Sequence, residues 1–171
     1  MILTDFIDAD DDGSTGPSPV VRQADEPTEP SHFGALCVRE RADKDGLEVL
    51  LITSRDSGRW VIPKGRPMRG HKPHQVARRE AWEEAGVRGV VHKSACGQFH
   101  YLKTLPQGGV ARCLVQVHVL DVASLAPTFP EMNERRLRWF GPRDAAAAVK
   151  EPELSAILLG VTARPGVAGN P

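Results

Sequence analysis

Aromatic residues are scarce in this chain: Phe, Trp and Tyr together make up 5%, with a single tyrosine. No stretch interleaves basic and aromatic residues, so a base-stacking nucleic-acid surface is not expected. Cysteine is scarce too. Cys37, Cys96 and Cys113 form no C-x-x-C pair, which argues against a disulfide framework or a zinc knuckle. They read as small apolar residues in a reducing, cytoplasmic setting. No apolar run approaches the ~20 residues of a spanning helix, so no membrane partner is expected. The opening MILTDFIDADDD has no basic n-region and reads as something other than a secretory signal. Net charge is also lacking, with 22 basic and 22 acidic residues.

That balance conceals a division. Residues 1–31 hold eight acids and one base, Arg22, for a net of −7, which leaves +7 on the remainder. The first segment also carries Pro17, Pro19, Pro27 and Pro30 among Gly, Ser and Thr. Such a composition cannot bury enough surface to offset its ordering entropy, so 1–31 is predicted to be a mostly disordered acidic tail. Residues 161–171 read as a second loose tail. One domain, 32–160, lies between them. An acidic segment beside a basic body suits an anionic partner for the body, or simple solubility.

Within the domain, HFGALCVR (32–39) and LEVLLIT (47–53) read as strands, and RWVIP (59–63) as a short extended piece. Residues 73–85 read as a helix, with Pro73 at its first position and Gly86 closing it. VRGVV and QFHYL are two strand candidates. VARCLVQVHVL (110–120) alternates Cys113, Val115, Val117 and Val119 on one face. LRWF (137–140) follows as a strand, then proline-started helices over 142–150 and 152–159. The order predicts a mixed α/β domain.

The middle helix carries the chemistry. Glu80, Glu83 and Glu84 are neighbours at i,i+3 and i,i+4, where like charges repel. They also crowd the helix C-terminus, whose dipole favours cations. A divalent cation would relieve both penalties, and oxygen-only ligands point to Mg²⁺ or Mn²⁺. A solvated acidic face with Arg79 neutralising Glu83 is the plainer reading of the helix alone. Just upstream, 55–79 holds eight bases, among them Arg55, Lys64 and Arg66, against one acid, Asp56. A cationic loop running into a helix start is suited to phosphate oxygens. Metal-assisted attack of water on a polyphosphate needs both features.

These residues resemble the Nudix hydrolases, whose box is G-x5-E-x7-R-E-U-x-E-E-x-G-U with U apolar. Gly65, Arg79, Glu80, Ala81, Glu83, Glu84, Gly86 and Val87 fill it without gaps, and His71 stands where the box has its first Glu. RWVIPKGRPM, REAWEEAGVRG and RRLRWF are similar to the diphosphoinositol polyphosphate phosphohydrolase and diadenosine polyphosphate hydrolase branch. The resemblance implies a Nudix fold, a mixed sheet between helices with the box as loop–helix–loop. It implies Mg²⁺ on Glu80 and Glu84, with Glu83 assisting and the Gly65 carbonyl contributing, and hydrolysis of a pyrophosphate bond. It also implies that Arg55 binds substrate and that Glu131 or Glu134, in a loop before a strand, adds a metal ligand or base. Arg135 and Arg136 either reach substrate phosphates or coat the surface; one of them is expected to bind phosphate, and Arg136 is the one placed beside Lys64 and Arg66. The alternative is a Nudix-like domain that binds a phosphorylated ligand without turning it over, with His71 its main support. Substrate identity and oligomeric state have no decisive motif.

Overall fold

A computed structural model describes residues 29–43 and 46–161. The acidic tail up to residue 28 and the C-terminal tail from 162 lie outside the described residues. One seven-stranded sheet organises the rest. Its main path is β3(Trp60–Val61), β2(Leu47–Thr53), β1(His32–Glu40), β6(Val110–Leu125) and β5(Val87–Thr104). β4(Lys64–Gly65) pairs with β1, and β7(Leu137–Phe140) pairs with β2. β1 and β6 run parallel, and the other pairs are antiparallel.

Helices cover both faces, as the resemblance implied. α1(Pro73–Ala85) places Ala77, Ala81 and Ala85 on a core with Ala35, Cys37, Leu50 and Leu120. α2(Pro142–Ala148) and α3(Pro152–Leu159) cover the opposite face, where Leu154 and Leu158 meet Leu36, Phe99 and Val115. The alternation read in β6 is real: Cys113, Val115, Val117 and Val119 all enter that second core. Burying these apolar faces contributes about 25 cal/mol per Å² of surface removed from water.

Three local expectations change. VRGVV and QFHYL are one strand, because β6 pairs with β5 from Val87 to Thr104 and two of its three register shifts, at Val91/Ala95 and Ala95/Gly97, absorb the stretch between them. The loop PKGRPMRGHK contains β4, since Lys64 and Gly65 pair with Gly34 and Phe33. α2 stops at Ala148.

Gly86 ends α1 in the left-handed region (φ 67°), its N–H donating to Trp82 O at 2.9 Å, and Phe129 lies where a Cβ would project. Its C=O accepts from Ala126 N–H at 2.7 Å, which ties the segment after β6 to the end of the helix. Gly86→Ala is expected to cost at least about 1–2 kcal/mol for the left-handed backbone alone. Urea unfolding checks this.

Candidate active site

Lys64 and Gly65 are the first elements of the site. A methyl group on Gly65 would occupy the place of the Glu80 carboxylate, so glycine here leaves that carboxylate its position against β4. Beside it, Lys64 N–H donates to Glu84 Oε2 at 3.0 Å. Glu84 is only 7% exposed, and burial raises its pKa against the opposing pull of Arg135 and Lys64.

Arg135 completes this corner. Its Nη2 donates to Glu84 Oε1, its Nε to Glu131 Oε2 at 2.8 Å, and its Nη1 to Thr53 O at 3.1 Å. The Arg135 side chain is 7% exposed, so this is a buried ion pair with its hydrogen bonds made. Arg55 also approaches Glu131, 3.8 Å from its Oε1, and lies 2.9 Å from Glu134 Oε2.

Glu80 is different. Among the described residues no hydrogen bond or ion pair holds its carboxylate. Burial, then the charges of Glu84, Glu83 and Glu131, push its pKa from 4.5 up to about 7. Glu80, Glu84, Glu131 and Gly65 line one cavity of about 290 Å³ together with Lys64, Arg66, Lys103, Arg55 and Arg135. Tyr101 and His32 form part of its wall: Tyr101 Oη lies 3.2 Å from His32 Nε2, and Lys64 Nζ sits 4.7 Å from the Tyr101 ring centre. Desolvation, then Lys64, Lys103 and Arg66, lower the His32 pKa to about 4, so its imidazole is neutral at pH 7.

The donor set is all oxygen, and the negative charges of Glu84, Glu83 and Glu131 crowd Glu80, which fits a hard divalent cation. Among the described residues no three acidic, histidine or cysteine side chains converge closely enough to cage an ion unaided. The engagement of Glu84 and Glu131 by Arg135 gives a physical reason for that spacing.

The other box residues lie elsewhere. Arg79 Nε donates to Glu83 Oε1 at 2.7 Å, while Glu83 O accepts from Glu131 N–H at 3.0 Å. Glu83 therefore braces the Glu131 loop through its backbone, and its side chain does not line the cavity. Glu134 is held by Arg55 and also lies outside the lining. Arg136 departs from its assignment. Its N–H donates to Thr53 Oγ1 at 2.9 Å and its guanidinium lies 5.5 Å from the Trp60 ring centre, whereas its neighbour Arg135 turns into the site. Sequence offered no signal for which of the two would face inward. His71 is exposed, with Nδ1 3.2 Å from Arg69 O.

Two outcomes follow from these partners. Arg135→Met leaves Glu84 buried without its counter-charge and is expected to cost about 3–5 kcal/mol in urea unfolding. Adding Glu84→Met should recover much of that loss. For Glu80 the folded-state pKa exceeds the unfolded one. Its contribution in metal-free protein is therefore present below pH 4.5 and lost as pH rises through about 7. Glu80→Gln should flatten the fall in stability over that window, read by unfolding at each pH.

Known proteins share this fold. "Nudix hydrolase 16, mitochondrial" of Arabidopsis thaliana is 28% identical over 137 residues, spanning 71% of this chain and 74% of that protein. "Diphosphoinositol polyphosphate phosphohydrolase 3-alpha" of Homo sapiens is 28% identical over 113 residues, 65% of each chain. In fold, the chain is similar to the binary complex of a C. elegans Ap4A hydrolase, with a TM-score of 0.55 at 21% identity over 75% of this chain and 91% of that one. Residues 30–159 match the NUDIX domain profile, and the chain belongs to the Nudix hydrolase family.

Proposed function

We propose that the chain is a divalent-metal-dependent pyrophosphohydrolase that cleaves a phosphoric anhydride bond in a dinucleoside polyphosphate or a diphosphoinositol polyphosphate. The observation that carries this reading is one cavity holding both an unpartnered carboxylate, Glu80, and a cationic wall of Lys64, Arg66 and Lys103. The names of the human relative and the C. elegans neighbour point to the same phosphate-rich substrates. A cytoplasmic setting belongs to the same proposal and rests on the cysteine usage.

Mg²⁺ or Mn²⁺ on Glu80 and Glu84, with the Gly65 carbonyl contributing and Glu83 assisting through its backbone hold on the Glu131 loop, would supply Lewis acidity and lower the pKa of water. The chain's own residues do the rest. Lys64, Arg66 and Arg55 bind and orient phosphate oxygens through charge-assisted hydrogen bonds. Arg135 fixes Glu84 and Glu131, so the acids meet the substrate already oriented. Glu131 is the accessory acid of the pair weighed from sequence, because it lines the cavity and Glu134 does not.

Millimolar Mn²⁺ is expected to raise the melting temperature of the protein, since it binds only the folded state. The Glu80→Gln, Glu84→Gln double variant should show little or no rise. On a panel of polyphosphates, chains of three or more phosphates or a phosphate-studded ring should be turned over faster than nucleotide sugars, with affinity falling as salt rises. Nucleotide sugars ranking first would overturn the substrate reading.

Binding without turnover is the second reading, and His71 is what favours it. Yet Arg79 finds Glu83 without help from position 71. His71→Glu should therefore change Mg²⁺-dependent turnover by no more than roughly 100-fold, the range of supporting residues, whereas Glu84→Gln should lose far more. An inert wild type made active by His71→Glu would establish the binding reading instead.

A further inference from the structure

A second cavity, of about 570 Å³, lies on the outer face of α1. His71, Gln75, Arg78 and Trp82 form its helix wall, and Val87, Arg88 and Gly89 its strand wall. A smaller cavity of about 280 Å³ shares Gln75, Arg78 and Gly89 and continues past Val90 to Lys93. No carboxylate lines either one. Arg79 borders the larger cavity but is engaged by Glu83. Arg78, Arg88 and Lys93 are exposed and have no ion-pair partner among the described residues. Between them stand two exposed apolar groups, Trp82 at 36% and Val90 at 71%. An occupant that satisfies this groove carries negative charge and apolar surface together. A free phosphate offers only the first.

One segment of the chain offers both. Ile2, Leu3, Phe6 and Ile7 are followed at once by Asp8, Asp10, Asp11 and Asp12. We propose that residues 2–12 dock in this groove, with Phe6 and Ile7 against Trp82 and Val90, and the aspartates beside Arg78, Arg88 and Lys93. The reach is sufficient. Ser31 is hydrogen-bonded to Leu114, opposite His100 on β5, and the groove lies about ten residues along that strand, roughly 33 Å. Residues 13–28 span up to about 53 Å when extended. The active-site cavity is the rival seat, and its Lys64, Arg66 and Lys103 attract anions, but Glu80, Glu84 and Glu131 share that lining and, among the described residues, none of the exposed large apolar side chains stands there to take Phe6 and Ile7. The assignment does not depend on the proposed reaction.

Carbodiimide coupling of the full-length protein, which joins a carboxylate to a nearby amine, tests it directly. Mass spectrometry is expected to find residues 8–12 joined to Lys93 at low salt, with the yield falling steeply near 1 M salt, where the Debye length shrinks to about 3 Å. Full-length protein with Trp60→Phe and Trp139→Phe gives an independent readout, since Trp82 is then the remaining one of three tryptophans. Acrylamide quenching of Trp82 should rise about twofold or more with salt, and equally when Asp8, Asp10, Asp11 and Asp12 become Asn. Coupling to Lys64 and Lys103 in place of Lys93 would put the segment in the active-site cavity and overturn the proposal. So would shielding of Trp82 that depends on protein concentration, which means a second copy. Protection of Trp82 by inorganic tripolyphosphate, with no effect of the Asn changes, would assign the groove to a free polyanion and also overturn it.

Discussion

The hydrogen bond from Lys64 N–H to Glu84 Oε2 joins a two-residue strand to the last turn of α1, twenty residues apart in sequence. It requires the helix to lie close to the sheet. Ala77, Ala81 and Ala85 permit that, because the row they form places only methyl groups against the core of Ala35, Cys37, Leu50 and Leu120. Larger residues on this face would lift the helix and take Glu84 out of reach of the strand. The same approach brings Glu80 against Gly65. Small residues on two facing elements thus set the position of both acids before any ligand arrives.

Burial makes that arrangement expensive for carboxylates, and the molecule answers differently for each. Glu84 receives a backbone donor and a guanidinium, Glu131 shares the guanidinium, and Glu134 takes Arg55 near the surface. Glu80 receives none of these, which is why its proton affinity rises. A local rule of stability is broken at one residue while its neighbours obey it, the pattern expected where a protein keeps a site open for something else.

Much of this was legible in the sequence. Pro73 and Gly86 marked the ends of α1 because their backbone restrictions act locally, and the alternation in β6 named its buried face for the same reason. The acids at 80, 83 and 84 were visible through charge rules that hold for any helix. What escaped was fixed by partners far away in the chain. β4 exists because β1 accepts it, VRGVV joins QFHYL because β6 runs beside both, and Arg135 turns inward because Glu84 is there to meet it. The inward role of Arg135 and the outward one of Arg136 depend on the register of one short approach to β7, which composition does not record.

The parallel pairing of β1 with β6 also bears on how the protein is made. Ser31 meets Leu114 across 83 residues of sequence. At a translation rate of about 5–20 residues per second, β1 waits roughly 4–16 s on the ribosome before that partner is synthesised. During that time Ala35, Leu36, Cys37 and Val38, all buried in the finished sheet, have β2 on one side and an open edge on the other. An open apolar edge recruits other strands. β1, β2 and α1 are complete before β6 is made, so the pairing that closes this edge comes from a strand that lines no part of the site yet completes the sheet beneath it.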